Sequence, residues 1–132
     1  MADGRIVAPE DIVSGQNATG STIAANIVVM KDASTTEGIK LPTGVAVAAF
    51  GVTQRSIVTS SFGPVQRAGR ALCTAAAAIT AGAELMTDTA GKVLTWTVGA
   101  GSNAFLIGTA VGAASADGDL LYVDLDLGYK QG

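Results

Sequence analysis

The sequence contains no histidine. That removes the usual general base, the Ser-His-Asp arrangement and the commonest zinc ligand. Its one cysteine, Cys73, permits no internal disulfide and no thiolate metal site. The flanks, RALCTAA, read as strand or core, so Cys73 is expected to be a structural thiol. No GxxxxGK[ST] stretch occurs, and with it goes the phosphate-binding P-loop. No apolar run approaches the length of a membrane span, and AVAAF and AAAAI are short and bracketed. No basic-then-apolar leader opens the chain, which points to synthesis in a cytoplasm. The net charge of −3 argues against nucleic acid as a partner. These absences leave no expected cofactor, no metal and no membrane.

What is present is small and apolar. The 132 residues fit one domain and allow a core without staples. Alanine and glycine make up about 30% of them, well above ordinary usage, while aromatics are 5%. A buried alanine removes far less apolar area from water than a buried leucine. A thin core is expected, with stability shared with neighbours. Charge is uneven. Residues 1–70 hold six basic and five acidic side chains, and residues 71–132 hold two basic and six acidic. Unlike halves can stack on copies of themselves, although scattered solvated charge accounts for the same numbers.

Along the chain, residues 1–22 have many turn formers and read as an extended arm with at most one short strand, RIV. Residues 23–132 read as a β-rich domain. Strands are expected at Ile27 to Met30, Val45 to Val52 and Val65 to Thr74. AAAAITAGAEL is too short for a stable helix and reads as a loop or single turn. Two hairpins come next in the chain. Glu84 to Asp88 pairs with Lys92 to Thr97 across TAGK. Phe105 to Ser115 pairs with Leu120 to Leu127 across an Asp-Gly turn. In the last strand Leu121, Val123, Leu125 and Leu127 point one way, and Tyr122, Asp124 and Asp126 the other. IVVMKD, AELMTD and DLLYVD echo one another, which reads as the common grammar of a strand entering a polar turn. The pattern implies an all-β fold, a small β-sandwich or barrel with an extended N-terminal arm.

Three apparent motifs lose their force on inspection. GAGSNA, from Gly99 to Ala104, matches GxGxxG/A, but FLIGTAVGAAS, directly after it, reads as strand rather than the helix a dinucleotide site needs. Asn17 opens an Asn-Ala-Thr acceptor pattern that is taken as chance. Asp124 and Asp126 share a strand face, where paired carboxylates do acid–base work, bind a cation, solubilise an edge or meet arginine on a partner. The last two roles are expected, with Arg55, Arg67 and Arg70 as counter-charges. No catalytic set emerges, and the protein is not expected to be an enzyme.

The second half resembles the small cement, or decoration, proteins of tailed bacteriophages. The carrying stretches are GRALCTAAAAITAGAELMTDTAGKVLTW and LIGTAVGAASADGDLLYVDLDLG, within residues 65–128. An A-x-I-x-A-G turn, a hairpin ending D-x-x-G-K-V and a closing G-D-x-x-x-V-x-L resemble the order in that family. The earlier half agrees loosely, through TGVAVAAFGV. The resemblance implies a β-rich domain, often trimeric, bound to the outside of an icosahedral head where capsomers meet. It implies the major capsid protein and a second copy of the chain (a homotrimer) as partners, and a virion location.

On that basis the arm is expected to face the shell through Arg5, Ile6, Val7 and Ile12, adding area at low mass. Self-association is expected through Val45, Val47 and Phe50, with Arg67 and Arg70 facing Asp124 and Asp126. Two alternatives stay open: another minor virion component such as a head-fibre base, and a soluble oligomeric β-barrel that binds a ligand. The ligand binder needs a pocket, for which Trp96, Tyr122 and Phe105 are the candidates.

Overall fold

The computed structural model describes residues 11–44, 47–96 and 103–131. Nine strands run through them: β1 (Asp11–Asn17), β2 (Val28–Asp32), β3 (Gly38–Lys40), β4 (Gly51–Thr53), β5 (Phe62–Thr74), β6 (Glu84–Thr87), β7 (Val93–Thr95), β8 (Asn103–Ala110) and β9 (Leu120–Gln131). No helix occurs among the described residues. The ladder order is β1-β3-β2-β4-β5-β9-β8-β6-β7, and β1 also pairs with β5. That extra pairing closes the first five strands into a barrel and leaves no open edge there. The all-β expectation holds, and barrel is the form it takes.

The strands β5 to β9 repeat the plan of β1 to β5. In the first barrel, β1 meets β5 with Ile12 opposite Gln66, Val13 opposite Val65 and Gln16 opposite Phe62. Each position, moved 58 residues along, gives Arg70 opposite Asp124, Ala71 opposite Val123 and Thr74 opposite Leu120. Val28 opposite Val52 corresponds to Glu84 opposite Thr109, and Thr53 opposite Val65 to Ala110 opposite Val123. The parallel contact Asn17–Ile39 returns as the parallel bridge Ala75–Val93. Loop hydrogen bonds repeat too: Asn26 N donates to Thr53 O, and Gly82 N to Ala110 O, each at 2.8 Å. Left-handed residues fall at matched points, Asn26 with Gly82 and Ser60 with Gly118.

The echo among IVVMKD and AELMTD is therefore structural. Met30 and Asp32 occupy the places of Met86 and Asp88 in one duplicated module. The last strand of the first module is also the first strand of the second. β5 serves both, and Gly69, at φ 85°, lies where its partner changes from β1 to β9. Few other residues accept that φ.

The residues explain the packing. Ile23, Ile27, Val29, Ile39, Ile57 and Val65 fill the first barrel. Leu85, Val93, Ile107, Leu121 and Val123 fill the second, with Ala71, Ala75, Ala110 and Ala114 between them. Val28, Ala49 and Val52 belong to that second cluster, so the first module packs against the second through these side chains while its own interior forms a separate cluster. Small residues permit close strand approach. A Cβ on Gly51 would strike Gln66 O, and one on its counterpart Gly108 would strike Asp124 O.

Three expectations change. Residues 11–17, expected within the arm, are extended but lie in the sheet as β1, because both β3 and β5 supply them with backbone partners. The strand expected over Val45 to Val52 is confined to Gly51–Thr53 in the described residues, and Val45 lies outside them. β8 ends at Ala110 rather than Ser115, where the chain turns. Both hairpins form, with Met86 opposite Leu94 and Thr109 opposite Asp124. The last strand buries Leu121, Val123 and Leu125 and exposes Tyr122 and Asp126.

Candidate contact surfaces

The expected charge cluster divides into parts with different roles. Arg70 and Asp124 face each other across the β5–β9 ladder. Arg70 Nε donates to Asp124 Oδ1 at 2.8 Å and Nη2 to Oδ2 at 3.3 Å. The hydrogen bond to Asp124 raises the Arg70 pKa, so the guanidinium stays charged. The fork expected between copies forms within one chain, because antiparallel register places the two residues directly opposite. As a solvent-exposed pair it adds little to stability. Asp126 lies two residues on and is exposed.

Arg67 takes a separate path. Its Nε donates to Phe50 O at 2.9 Å and its guanidinium lies 4.4 Å above the Phe50 ring centroid. Lys31 Nζ approaches the same ring at 5.4 Å. Cations at these distances are attracted by the ring quadrupole. Phe50 and Val47 are half-buried. Lys31, which sequence reasoning did not single out, joins this group because β2 is paired with β3 and β4. Ile12 on β1 is 46% exposed, opposite Gln66. Arg5, Ile6 and Val7 lie outside the described residues, as does Val45.

A cleft of about 270 Å³ opens where the modules meet, lined by Gln54, Gln66, Arg70 and Tyr122 among others. Gln66 is buried, and its Nε2 donates to Ala68 O and Arg70 O, so it braces the β5 crossover. The three aromatics proposed for a ligand pocket do not converge. Trp96 packs with Ala104 and Leu106, Phe105 lies in the second core, and only Tyr122 borders the cleft.

The remaining motif residues have structural places. Cys73 is buried, and loss of water pushes its thiol up to about 12, which keeps it protonated and unreactive. Asn17 is 1% exposed. Its Nδ2 donates to Ser21 O and Ile57 O, so it offers no accessible amide for glycosylation. Of the GAGSNA match, Gly99 to Ser102 lie outside the described residues, and Asn103 and Ala104 open β8, a strand rather than a helix. No group of three or more potential metal ligands occurs among the described residues. Asp119 Oδ2 accepts Ser115 N, Ser115 Oγ and Ala116 N, which lowers its pKa and shapes the turn before β9.

Comparison with known proteins gives the same picture. No curated protein matches the chain in sequence. Among solved structures, the head fibre gp8.5 N base of bacteriophage phi29 superposes with a TM-score of 0.66 at 16% identity. The alignment covers 89% of this chain and 95% of that one, a likeness of fold. The family model for phage cement proteins matches residues 7–125, which takes in β1 to β8 and the first half of β9. The match covers most of the chain, and this histidine-free all-β protein thus belongs to the phage cement protein family.

Proposed function

We propose that the protein binds the outer surface of an icosahedral phage head and stabilises junctions between capsomers, with the major capsid protein and other copies of itself as partners. The observation that carries this reading is the family match across both barrels. The physics supports it. Two modules that share strand β5 and pack together through Val28, Ala49 and Val52 form a stiff spacer, and a stiff spacer keeps separate contacts in fixed relation. The segment before β1, with Arg5, Ile6 and Val7, faces the shell. Ile12 extends that contact from β1. Val45, Val47, Phe50, Arg67 and Asp126 serve association between copies, as a trimer, and Arg70 and Asp124 hold β5 to β9.

The test is cosedimentation with expanded heads of the encoding phage assembled without this protein. Saturable pelleting at a fixed ratio to the shell subunit supports the reading. Deletion of residues 2–10, which stops short of β1, is expected to abolish pelleting and preserve thermal stability. No pelleting of the full chain on competent heads refutes the cement role.

The likeness to a head-fibre base supports a second reading, a platform for a fibre. It predicts a fibre partner bound on the face away from the shell, which affinity capture from purified virions detects.

A further inference from the structure

Each backbone N–H and C=O of a strand needs a partner or access to water. Along a strand these groups alternate from side to side. In the half of β5 that belongs to the second module, Ala75 N donates to Asp119 O at 2.7 Å, toward the start of β9. Thr74 N donates to Asn26 O at 3.1 Å, on the other side. Arg70 O faces that other side too, where it accepts Gln66 Nε2 at 3.0 Å. Leu72 lies between Arg70 and Thr74, in the same phase of the strand. Its N–H and C=O therefore point away from β9, and neither has a hydrogen-bond partner among the described residues.

These two groups open into the cleft of about 270 Å³ at the module junction, since Asn26 and Gln66, which occupy that side of β5, both line it with Leu72. Tyr122 borders the cleft as well. It is paired directly with Leu72 across the β5–β9 ladder, so the two side chains share a sheet face, and Tyr122 is 54% exposed. The counterpart of Leu72 in the first module is Ser14, which is exposed to water. Leu72 instead has the first module standing across from it, through Asn26 and Gln54.

The free groups decide the occupant. In an antiparallel pair, two opposed residues exchange both N–H···O bonds, so a donor and an acceptor left on one residue match one residue of a second extended chain. The fold already uses single pairings of this kind, at Ile23–Ile57 and Ile79–Ala114. The volume agrees. It lies below the roughly 300–1,000 Å³ of sites that enclose a whole small molecule, whereas a segment that enters and leaves needs no larger space. We infer that the cleft receives an extended segment of the shell subunit, one residue of which pairs with Leu72 through two main-chain hydrogen bonds while a neighbouring side chain lies on Tyr122. The inference rests on the cement reading. The pairing is one contact within a larger interface. It fixes how the protein is oriented on the shell, because main-chain bonds form only in register.

The experiment uses the full chain and expanded heads assembled without it, with residue-level hydrogen exchange as the readout. In the free protein the Leu72 amide is expected to exchange much faster than those of Ala71 and Cys73, which face β9. On heads, Leu72 is expected to slow about tenfold or more, and one of a set of overlapping peptides covering the shell subunit is expected to do the same. Leu72→Pro removes the outward N–H and keeps the bonds to β9, and it is expected to weaken head binding about tenfold. Gln54→Trp fills the cleft from its exposed side, leaves Leu72 in place and is expected to weaken binding by at least as much. Original affinity in a folded Gln54→Trp protein, or a Leu72 amide that exchanges equally fast free and on heads, overturns the inference and leaves the cement reading intact. So does a Leu72 amide already protected in the free protein. Absence of pelleting by the original protein overturns both.

Discussion

Replacing Gly51 by alanine tests the packing logic of the duplicated barrel. A Cβ there would sit 2.5 Å from Gln66 O and 2.7 Å from Val65 Cγ1. The oxygen belongs to the backbone of β5 and cannot rotate away. The β4–β5 ladder has two residue pairs, Val52 with Gln66 and Thr53 with Val65, and two pairs to β2 hold the other side of β4, so the strand has little room to shift. Overpacking of this kind costs about 1–3 kcal/mol, and one weakened backbone hydrogen bond adds about 1 kcal/mol. A loss of roughly 2–4 kcal/mol lowers the melting temperature by about 10 °C in a domain of this size. Circular dichroism melts and guanidinium titrations read both quantities. Gly108→Ala is expected to act in the same direction, because its Cβ would meet Asp124 O at the equivalent place. Gly112→Ala is the control: no atom lies within 4 Å of its Cβ, and stability is expected to change by less than about 1 kcal/mol. Since β5 belongs to both modules and Val28, Ala49 and Val52 pack across them, each variant should melt in one transition. A Gly51→Ala protein that melts within about 2 °C of the original refutes the close-approach argument.

Cys73 is expected to resist thiol reagents in the native protein and to react fully once guanidinium unfolds it; fast native labelling would contradict its burial. Asp119 has a folded pKa lowered by Ser115 and Ala116, so its contribution is present above the unfolded value near 3.8 and is lost as pH falls through the lower folded value. Asp119→Asn should therefore reduce the loss of stability seen in melts taken from pH 5 down to pH 2, and an unchanged acid profile would count against this. Arg70→Ala is expected to change the melting temperature little and leave the oligomeric state unaltered, whereas Asp126→Arg is expected to weaken self-association in sedimentation velocity. If Arg70→Ala dissociates the assembly, the fork between Arg70 and Asp124 has been misassigned to the single chain.

Local features were legible where chemistry acts over a few residues. The alternation from Leu120 to Leu127 fixes which face of β9 is buried, since side chains on a strand point to opposite sides. The Asp-Gly at 117–118 marks the turn before it, where Gly118 takes φ 93°. β3 has only Gly38, Ile39 and Lys40, too short for any periodic signal, and it exists because β1 and β2 flank it. β1 reads as polar, and its place comes from six backbone pairings to β5 that carry no side-chain signature.

The duplication was hidden for a related reason. A ladder is built from backbone groups, so the two modules keep one register while Val28 becomes Glu84 and Gln66 becomes Asp124. The β class, the two C-terminal hairpins and the family resemblance are legible in the chain alone. These rest on residue types and short spacings. Only the tertiary structure decided that Arg70 closes on Asp124 of its own chain, that β5 serves two barrels, and that Phe62 and Leu120 are counterparts. Those facts depend on which distant strands become neighbours, and that is settled by strand closure and by burial of the apolar faces it brings together.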